Sequence, residues 1–327
     1  MPFTTRAIVV TEAGGLDVLQ VQDREVGEPA AGQLLVRVAA AGVNFIDNYQ
    51  RSGMYPIQTP YVMGSEGAGT VEAVGEGVRE SKVGDRVAWS QTLGSASELA
   101  LIPESDTVPI PESVSFDQAA AAMLQGMTAH YLVNSTYPVR EGDTVLVHAA
   151  AGGVGQLLIQ LIKAKGARVI GTVSTEAKAA KARALGADEV INYTEVDDLA
   201  AAVRGLTGGL GVAAVYDGVG RSTFDASLAS LRTRGTLALF GAASGPVPPV
   251  DPQRLNAGGS LFLTRPTLAH HIASREELLL RGNEILAAVA DGSLRIEIGS
   301  RYSFDDVGQA YANLTGRRTT GKLLLVP

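Results

Sequence analysis

The sequence predicts an α/β protein in which a compact half built of short strands precedes a doubly wound parallel sheet. Before about residue 140, strand-like runs alternate with turn signals, as is typical of a barrel or a sandwich. From residue 143, apolar strand-like runs alternate with helical patterns, as a parallel sheet with crossover helices requires. A chain of 327 residues is also long enough for roughly two domains.

The first half is predicted to consist mainly of strands. The strand-like runs are RAIVVT (6–11), LLVRVAAAGV (34–43), AGTVEAVG (68–75) and DRVAW (85–89). Turns such as EAGG (12–15) and GEGV (75–78) separate them, and residues 115–135 have a helical pattern.

The second half is predicted to form a parallel sheet. DTVLVHAA (143–150) is almost continuously apolar, as expected for a strand covered on both faces. The helix predicted over 151–167 has one apolar stripe, which includes Val154, Leu158 and Ile162. Further strands are predicted at 168–173, 189–193, 212–220 and 236–244, with a helix at 176–187. Helices at 274–291 and 305–315 and strands at 294–300 and 322–327 resemble the first half, to which this tail is expected to return.

Composition excludes several classes of function. The formal charge of −7 argues against a nucleic-acid surface, which needs a basic stripe. The absence of cysteine excludes disulfides and thiolate zinc sites. The N-terminus lacks the features of a signal peptide, and no apolar run reaches the roughly 20 residues of a membrane span. A soluble, cytoplasmic protein without a membrane segment is expected.

The strongest chemical signal is the turn AAAGGVG (149–155). Gly152, Gly153 and Gly155 carry no side chain where a diphosphate must approach the backbone, and Val154 lies among them. The helix that begins near Gly153 offers free N–H groups and the positive end of its dipole. Because the turn joins an apolar strand to an amphipathic helix inside a βαβ unit, it predicts dinucleotide binding.

The end of the second strand of this sheet indicates which dinucleotide is bound. NAD enzymes place an acid there, about 20 residues beyond the glycines, to hold the ribose 2′-hydroxyl. Here the strand ends without an acid, and Ser174 and Lys178 offer a hydroxyl and a charge to a 2′-phosphate. This favours NADPH, although Glu176 is an alternative that could turn toward the ribose.

Taken in order, several motifs resemble a known family. They are VNFIDNYQRSGMYP (43–56), GSEGAGTVEAVGEGV (64–78), GDRV (84–87), AAAGGVGQ (149–156), ALGADEVINY (184–193) and LTRP (263–266). The chain resembles the medium-chain dehydrogenase/reductase superfamily and, within it, the zinc-free quinone oxidoreductases, the group that includes zeta-crystallin. The resemblance implies a GroES-like β-barrel domain plus a Rossmann domain. It places the barrel-like catalytic domain at 1–125, the NADP-binding Rossmann domain at 126–265 and the return to the catalytic domain at 266–327.

The glycine-rich stretch GSEGAG (64–69) bears on metal binding. Zinc alcohol dehydrogenases of this superfamily carry a Gly-His-Glu there, and here Ser65 replaces the histidine. The stretch GVNFID, where the resemblance would place a metal-binding cysteine, has none. Because zinc needs several thiolate, imidazole or carboxylate ligands, no metal is expected. Glu66 is predicted to be a buried structural acid that accepts hydrogen bonds from neighbouring backbone N–H groups.

The resemblance also implies roles for individual residues. It places Asn44, Phe45 and Ile46 along the nicotinamide, and Tyr49 and Tyr55 in the acceptor pocket with Asp47, although packing of the barrel is the alternative for both tyrosines. The other cofactor contacts that it implies are Gln125, Thr128, Tyr131, Tyr193, Phe240, Gly241, Arg265 and Arg317, with Arg318 an equal rival of Arg317. His148 is predicted to be a packed core residue, and His270 and His271 are predicted to be exposed.

The activity implied is reduction of a quinone by NADPH without a metal or a dedicated acid–base residue. Reduction of an enone or enal C=C bond is one alternative, since it needs the same cofactor and a similar pocket. A low-turnover NADPH-binding sensor or structural protein is another. GSLFLT (259–264) is a candidate edge strand through which a homodimer could form.

Overall fold

A computed structural model describes residues 3–316 and 319–327, which form two compact units. Unit 1 contains the residues up to Met127 together with Ile272–Pro327, and unit 2 contains Thr128–His271. In the described part of the chain, no helix has the combination of length and apolar character that a membrane crossing requires.

The elements are numbered here in chain order. The first are β1 (Phe3–Val10), β2 (Leu19–Val26), β3 (Gln33–Val43), α1 (Phe45–Arg51), β4 (Tyr61–Val62), β5 (Glu66–Val74), β6 (Arg86–Ser90), β7 (Leu99–Pro103), β8 (Thr107–Pro109) and α2 (Phe116–Tyr131). Next come β9 (Thr144–Val147), α3 (Gly153–Ala164), β10 (Arg168–Val173), α4 (Glu176–Ala184), β11 (Glu189–Asn192), α5 (Leu199–Gly205), β12 (Val212–Asp217), α6 (Phe224–Ser230), β13 (Leu231–Leu239), α7 (Gln253–Ala257), β14 (Phe262–Thr264) and α8 (Leu268–His271). The last are α9 (Arg275–Ala290), β15 (Ile298–Ser303), α10 (Val307–Thr315) and β16 (Lys322–Val326).

Unit 1 contains two sheets. The smaller has the strand order β2-β1-β4, and the larger has the order β15-β16-β3-β5-β6-β8, with β7 also paired to β3. Strand β16 runs antiparallel to β3, with Leu323 opposite Val43, which brings the C-terminal segment into this unit. The apolar core of the larger sheet includes Trp89 and Ile102, both fully buried.

Close backbone approach explains the glycines of the GSEGAG stretch. A Cβ atom on Gly67 would lie 2.5 Å from the Trp89 ring, and one on Gly69 would lie 2.1 Å from the carbonyl oxygen of Arg37 on β3. Gly64 has φ +93°, a conformation that side chains rarely adopt. Gly67 and Gly69 are therefore needed for strand packing, and Gly64 is needed for the backbone conformation before β5.

Unit 2 is built on one parallel sheet with the order β11-β10-β9-β12-β13-β14. The chain moves outward from β9 through β10 to β11, and then in the opposite direction from β12 to β14. Because crossover connections are right-handed, this reversal places helices on both faces, which is the predicted doubly wound arrangement.

Several predicted elements differ in extent. The strand predicted over 212–220 ends at Asp217, and the strand predicted over 236–244 is Leu231–Leu239. The helix predicted over 115–135 ends as an α-helix at Tyr131 and continues as a π-helical turn over Leu132–Thr136. The strand predicted over 143–150 stops at Val147, because the glycine turn follows at once. The strand predicted over 294–300 is Ile298–Ser303, because the Leu294 N–H instead donates to Ala288 of α9 and its side chain is buried there.

Candidate functional site

Most of the predicted cofactor residues of unit 2 follow the carboxyl ends of its parallel strands. The glycine turn follows β9, Ser174 follows β10, and Tyr193 follows β11. Phe240 and Gly241 follow β13, and Arg265 follows β14. In doubly wound sheets, ligands bind at this edge, where the strand order reverses. Here the reversal falls between β9 and β12, so the glycine turn lies directly at it.

The glycine turn is tightly closed by its own backbone. Ala149 has φ +49°, and its carbonyl accepts a hydrogen bond from the Gly152 N–H at 2.8 Å. A Cβ on Gly155 would lie 2.4 Å from that carbonyl oxygen, and one on Gly152 would lie 3.1 Å away. The N-cap residue of α3 is Gly152, which has no side chain to cap the first N–H groups of the helix. This bare helix N-terminus fits a diphosphate.

The end of β10 carries a hydroxyl and an ammonium. Lys178 Nζ lies 3.5 Å from Ser174 Oγ, and both side chains are partly exposed. Glu176 instead forms an ion pair with Arg183 of the same helix, at 2.6 Å. Glu176, which the sequence offered as an alternative ligand of the ribose, therefore has another partner.

A buried hydrogen-bond network supports this edge of the sheet. The sequence predicted that His148 is a packed core residue, but it did not predict the network around it. His148 contacts Thr172 Oγ1 at 3.0 Å and Ser227 Oγ at 2.9 Å, and Ser227 donates to Asp217 at 2.7 Å. Burial lowers the pKa of His148, so the ring is neutral near pH 7. Since the Ser227 hydroxyl donates to Asp217, it accepts from His148 Nε2–H. The network joins the ends of β9, β10 and β12.

Unit 2 contains a cavity of about 510 Å³, lined mainly by residues 262–271. Arg265, His271 and Thr136 line it, and Arg265 is exposed. The prediction that His271 is exposed is wrong, because its ring is half-buried and stacks on Tyr131 with centroids 4.1 Å apart. Tyr131 itself is buried, and burial raises its pKa. Thr128 is buried as well, whereas Tyr193 is exposed.

In unit 1, Asn44 lies at the start of α1 and is buried. Its Oδ1 accepts from Lys322 Nζ at 2.6 Å, and its Nδ2 donates to Glu66 at 2.8 Å and to the Gly42 carbonyl at 3.2 Å. Gln125 Nε2 lies 3.4 Å from the same Oδ1. The structure therefore brings Asn44 and Gln125, two residues predicted for the cofactor, into contact.

Asp47 is fully buried on the inner side of α1. Its Oδ2 accepts from the Asn44 N–H and from the Tyr311 hydroxyl, both at 2.8 Å. Burial raises the pKa of Asp47 to about 6, against the lowering effect of these hydrogen bonds and of the Lys322 charge. The contacts of Asp47 are thus with the protein interior, and they hold the start of α1 in place.

The aromatic side chains of this segment contact one another. The rings of Tyr49 and Tyr55 meet edge to face with centroids 5.3 Å apart, and Phe45 lies 6.3 Å from Tyr49. Tyr49 is 8% exposed and Tyr55 is 38% exposed. Tyr55 therefore presents more of its ring to solvent, and Ile46 is half-buried.

Arg317 and Arg318 lie outside the described residues.

Glu66 is buried and one of its oxygens accepts from a backbone N–H, as predicted, but the partners of the other oxygen are side chains. Its Oε2 lies 2.5 Å from Lys322 Nζ, and its Oε1 accepts from the Leu124 N–H at 2.6 Å. Ser65, at the position of the zinc-binding histidine, lies near Gln50. Within residues 3–316 and 319–327, no three His, Cys, Asp or Glu side chains are grouped closely enough to hold a metal ion.

Comparison with known proteins places both units in one superfamily. Residues 30–112 match the alcohol dehydrogenase GroES-like domain, and residues 153–277 match the zinc-binding dehydrogenase family. These matches confirm the predicted GroES-like and Rossmann fold class.

Individual relatives are similar over almost the whole chain. The chain is 45% identical to a Pseudomonas aeruginosa quinone oxidoreductase, over 96% of this chain and 97% of that one. It is 40% identical to a 2-haloacrylate reductase of a Burkholderia species, over 98% of each. A mycobacterial protein solved as a complex with NADPH is 52% identical, with a TM-score of 0.96 over 98% of this chain and 100% of that one. The chain therefore belongs to the zinc-free quinone oxidoreductases of the medium-chain dehydrogenase/reductase superfamily.

Proposed function

We propose that this protein is an NADPH-dependent quinone reductase that works without a metal. The observation that carries the proposal is the glycine turn at the strand-order reversal of the parallel sheet, followed by Ser174 and Lys178 at the end of β10. The P. aeruginosa relative named a quinone oxidoreductase and the mycobacterial NADPH complex support the same cofactor and acceptor.

Cofactor residues are assigned as follows. Gly152, Gly153, Val154 and Gly155 hold the diphosphate at the N-terminus of α3. Ser174 and Lys178 bind the 2′-phosphate through a hydroxyl and a positive charge. The remaining contacts are Phe45, Ile46, Gln125, Thr128, Tyr131, Tyr193, Phe240, Gly241 and Arg265.

The acceptor pocket is assigned to unit 1. Asn44 lies along the nicotinamide, Tyr49 and Tyr55 form the aromatic wall, and Asp47 supports α1 from behind. When bound, NADPH supplies the reducing equivalents, and water supplies the proton for the quinone oxygens. The protein residues orient cofactor and acceptor and exclude water, which needs no dedicated proton donor.

The experiment that tests this function is steady-state oxidation of NADPH by purified protein with a panel of quinones. Turnover that survives treatment with EDTA supports the proposal, whereas a protein that binds NADPH but turns over no quinone contradicts it. That second outcome would favour a sensor or structural role.

Reduction of a conjugated C=C bond is a second candidate. The specific observation in its favour is the 40% identity to a 2-haloacrylate reductase. A carbon-centred product needs a proton delivered to carbon, so this activity would require a proton donor in the pocket. Measuring product formation with enone and haloacrylate substrates separates the two functions.

We also propose a homodimer and a cytoplasmic location. Strand β14 lies at the edge of the unit 2 sheet, and Phe262 on it is 60% exposed, so a second copy could extend the sheet there. A mass of one chain in solution, or a dimer that Phe262→Glu leaves intact, would contradict this interface. The cytoplasm is the location because it holds the NADPH pool, and cell fractionation tests it.

A further inference from the structure

The interior of unit 1 contains an ion pair for which the reaction as described has no use. Glu66 is 0% exposed and Lys322 is 2% exposed, and their charged atoms lie 2.5 Å apart. Removing two charges from water is costly unless they are paired and further hydrogen-bonded. Stability alone therefore does not explain this ion pair, and a third residue that hydrogen-bonds to both charges suggests another role for it.

That third residue is Asn44. The Asn44 amide is held in one orientation, because Oδ1 accepts from the Lys322 ammonium while Nδ2 donates to the Glu66 carboxylate. Rotating the amide by half a turn would place its NH₂ against the ammonium and its oxygen against the carboxylate. Both contacts would then be repulsive.

The carboxylate cannot move away from this arrangement. Its Oε1 accepts from the Leu124 N–H of α2, and a Cβ on Gly42 would lie 2.1 Å from its Oε2. Lys322 begins β16, which pairs with β3 directly before Asn44. Strand β5, which carries Glu66, helix α2 and strand β16 thus together fix the position of the Asn44 amide.

We propose that Lys322 is a positioning residue for the reaction: its buried ammonium, held by Glu66, sets the orientation of Asn44 and with it the wall against which the nicotinamide lies. The inference rests on the proposed function, in which Asn44 lies along the nicotinamide. Lys322 itself contacts neither cofactor nor acceptor in this account.

The decisive variant is the double substitution Glu66→Gln/Lys322→Met. Each single substitution leaves one buried charge without its partner and is expected to lower the melting temperature, whereas the double variant removes both charges and is expected to recover most of that loss. Asn44 Oδ1 loses the Lys322 ammonium and keeps only the longer contact to Gln125 Nε2 at 3.4 Å. The amide is then held less firmly, so kcat for quinone reduction is expected to fall by about tenfold or more, with the Kd of NADPH within about threefold of the wild-type value. The control is Lys82→Met, at an exposed lysine of the same unit. This substitution is expected to leave kcat and the Kd of NADPH unchanged.

If the Glu66–Lys322 pair had a purely structural role, the melting temperature and kcat of the double variant would recover together. That result would overturn the proposal. If the double variant does not fold, Lys322→Arg takes its place. The larger, planar guanidinium keeps the charge but displaces the donor, so the same loss of kcat is expected. An unchanged kcat in that variant would also overturn the proposal.

Action through Asn44 is tested in a second background. In Asn44→Ala protein, Lys322→Met is expected to reduce kcat by less than about threefold further, because the group on which it acts is gone. A loss as large as in the wild-type background would overturn the inference.

One readout separates this inference from the proposed function. The fluorescence of bound NADPH reports the surroundings of the nicotinamide without any acceptor. If the wild type reduces no quinone, the proposed function fails, and the positioning role is still judged by this spectrum. A changed emission maximum in Glu66→Gln/Lys322→Met at saturating NADPH supports the positioning role, and an unchanged spectrum overturns it.

Discussion

At the scale of single residues, Lys178 is expected to decide the choice of cofactor. Its ammonium lies next to Ser174 at the end of β10, and Glu176 is paired with Arg183. Lys178→Ala is expected to weaken NADPH binding by about tenfold, since a charge-assisted contact to the 2′-phosphate is lost, and to leave NADH binding almost unchanged. Titration of both cofactors measures this, with Lys181→Ala on the same helix as the control. Equal binding of NADH and NADPH before and after the change would refute the assignment.

The tyrosines of the acceptor pocket are expected to matter for shape more than for proton transfer. A general acid contributes about 10² to 10⁴ in rate, so Tyr49→Phe and Tyr55→Phe should each cost much less if water supplies the proton. Tyr→Ala at either position also removes the ring contact between them and should change acceptor preference more. The rates are measured with saturating NADPH across pH. A thousandfold loss in either Phe variant, with cofactor affinity unchanged, would reveal a specific proton donor.

Asp47 is expected to make stability depend on pH in an unusual direction for a carboxyl group. Because burial raises its folded pKa to about 6, Asp47 contributes stability below its unfolded pKa, and this contribution is lost as pH rises through about 6. Relative to Asp47→Asn, the wild type should lose about 3 kcal/mol of unfolding free energy between roughly pH 4 and pH 7. Urea unfolding of both proteins across pH measures this difference. His148, whose pKa burial lowers, changes stability with pH in the opposite direction, but it does so equally in both proteins and cancels in the difference. A difference that does not vary with pH would contradict the burial argument.

At the scale of elements, the turn between β9 and α3 is expected to tolerate no side chain at Gly155. A Cβ there would lie 2.4 Å from the Ala149 carbonyl, so Gly155→Ala must shift the turn and with it the N-terminus of α3. NADPH binding should weaken by roughly a hundredfold, since small displacements of a binding element are costly. A bulky residue at Gly153, which opens α3, should also be severe. Gly205→Ala, where a Cβ meets nothing within 4 Å, is the control. Unchanged binding in Gly155→Ala would show that the turn does not hold the diphosphate.

The same elements show why part of the structure could be predicted. Strands β9 and β10 are almost continuously apolar, α3 has one apolar stripe, and the glycine turn lies between β9 and α3. This part of the sheet therefore follows from local pattern. The seven-residue helices α5 and α6 were not predicted, because they are too short to show an apolar stripe. Lys322 was missed as well, since it lies 256 residues from Glu66 and only the pairing of β16 with β3 brings them together. A lysine at the start of an apolar strand was the only signal.

At the scale of the whole molecule, the protein is expected to work without zinc. The ammonium of Lys322 is the cation beside Glu66, and Ser65 is a poor zinc ligand, so the donor set of a zinc alcohol dehydrogenase is missing from this region. Elemental analysis of purified protein should find much less than one zinc per chain, and chelators should leave turnover intact. One tightly bound zinc per chain would overturn this interpretation of Ser65 and Glu66.

The measurement that tests the central claim most directly is kcat/KM for a quinone and for an enone, determined on the same preparation with saturating NADPH. A pocket that orients cofactor and acceptor without a proton donor serves a quinone, whose oxygens take protons from water. We therefore expect kcat/KM for the quinone to exceed that for the enone by about tenfold or more. A larger kcat/KM for the enone would contradict the account and assign the protein to reduction of conjugated C=C bonds.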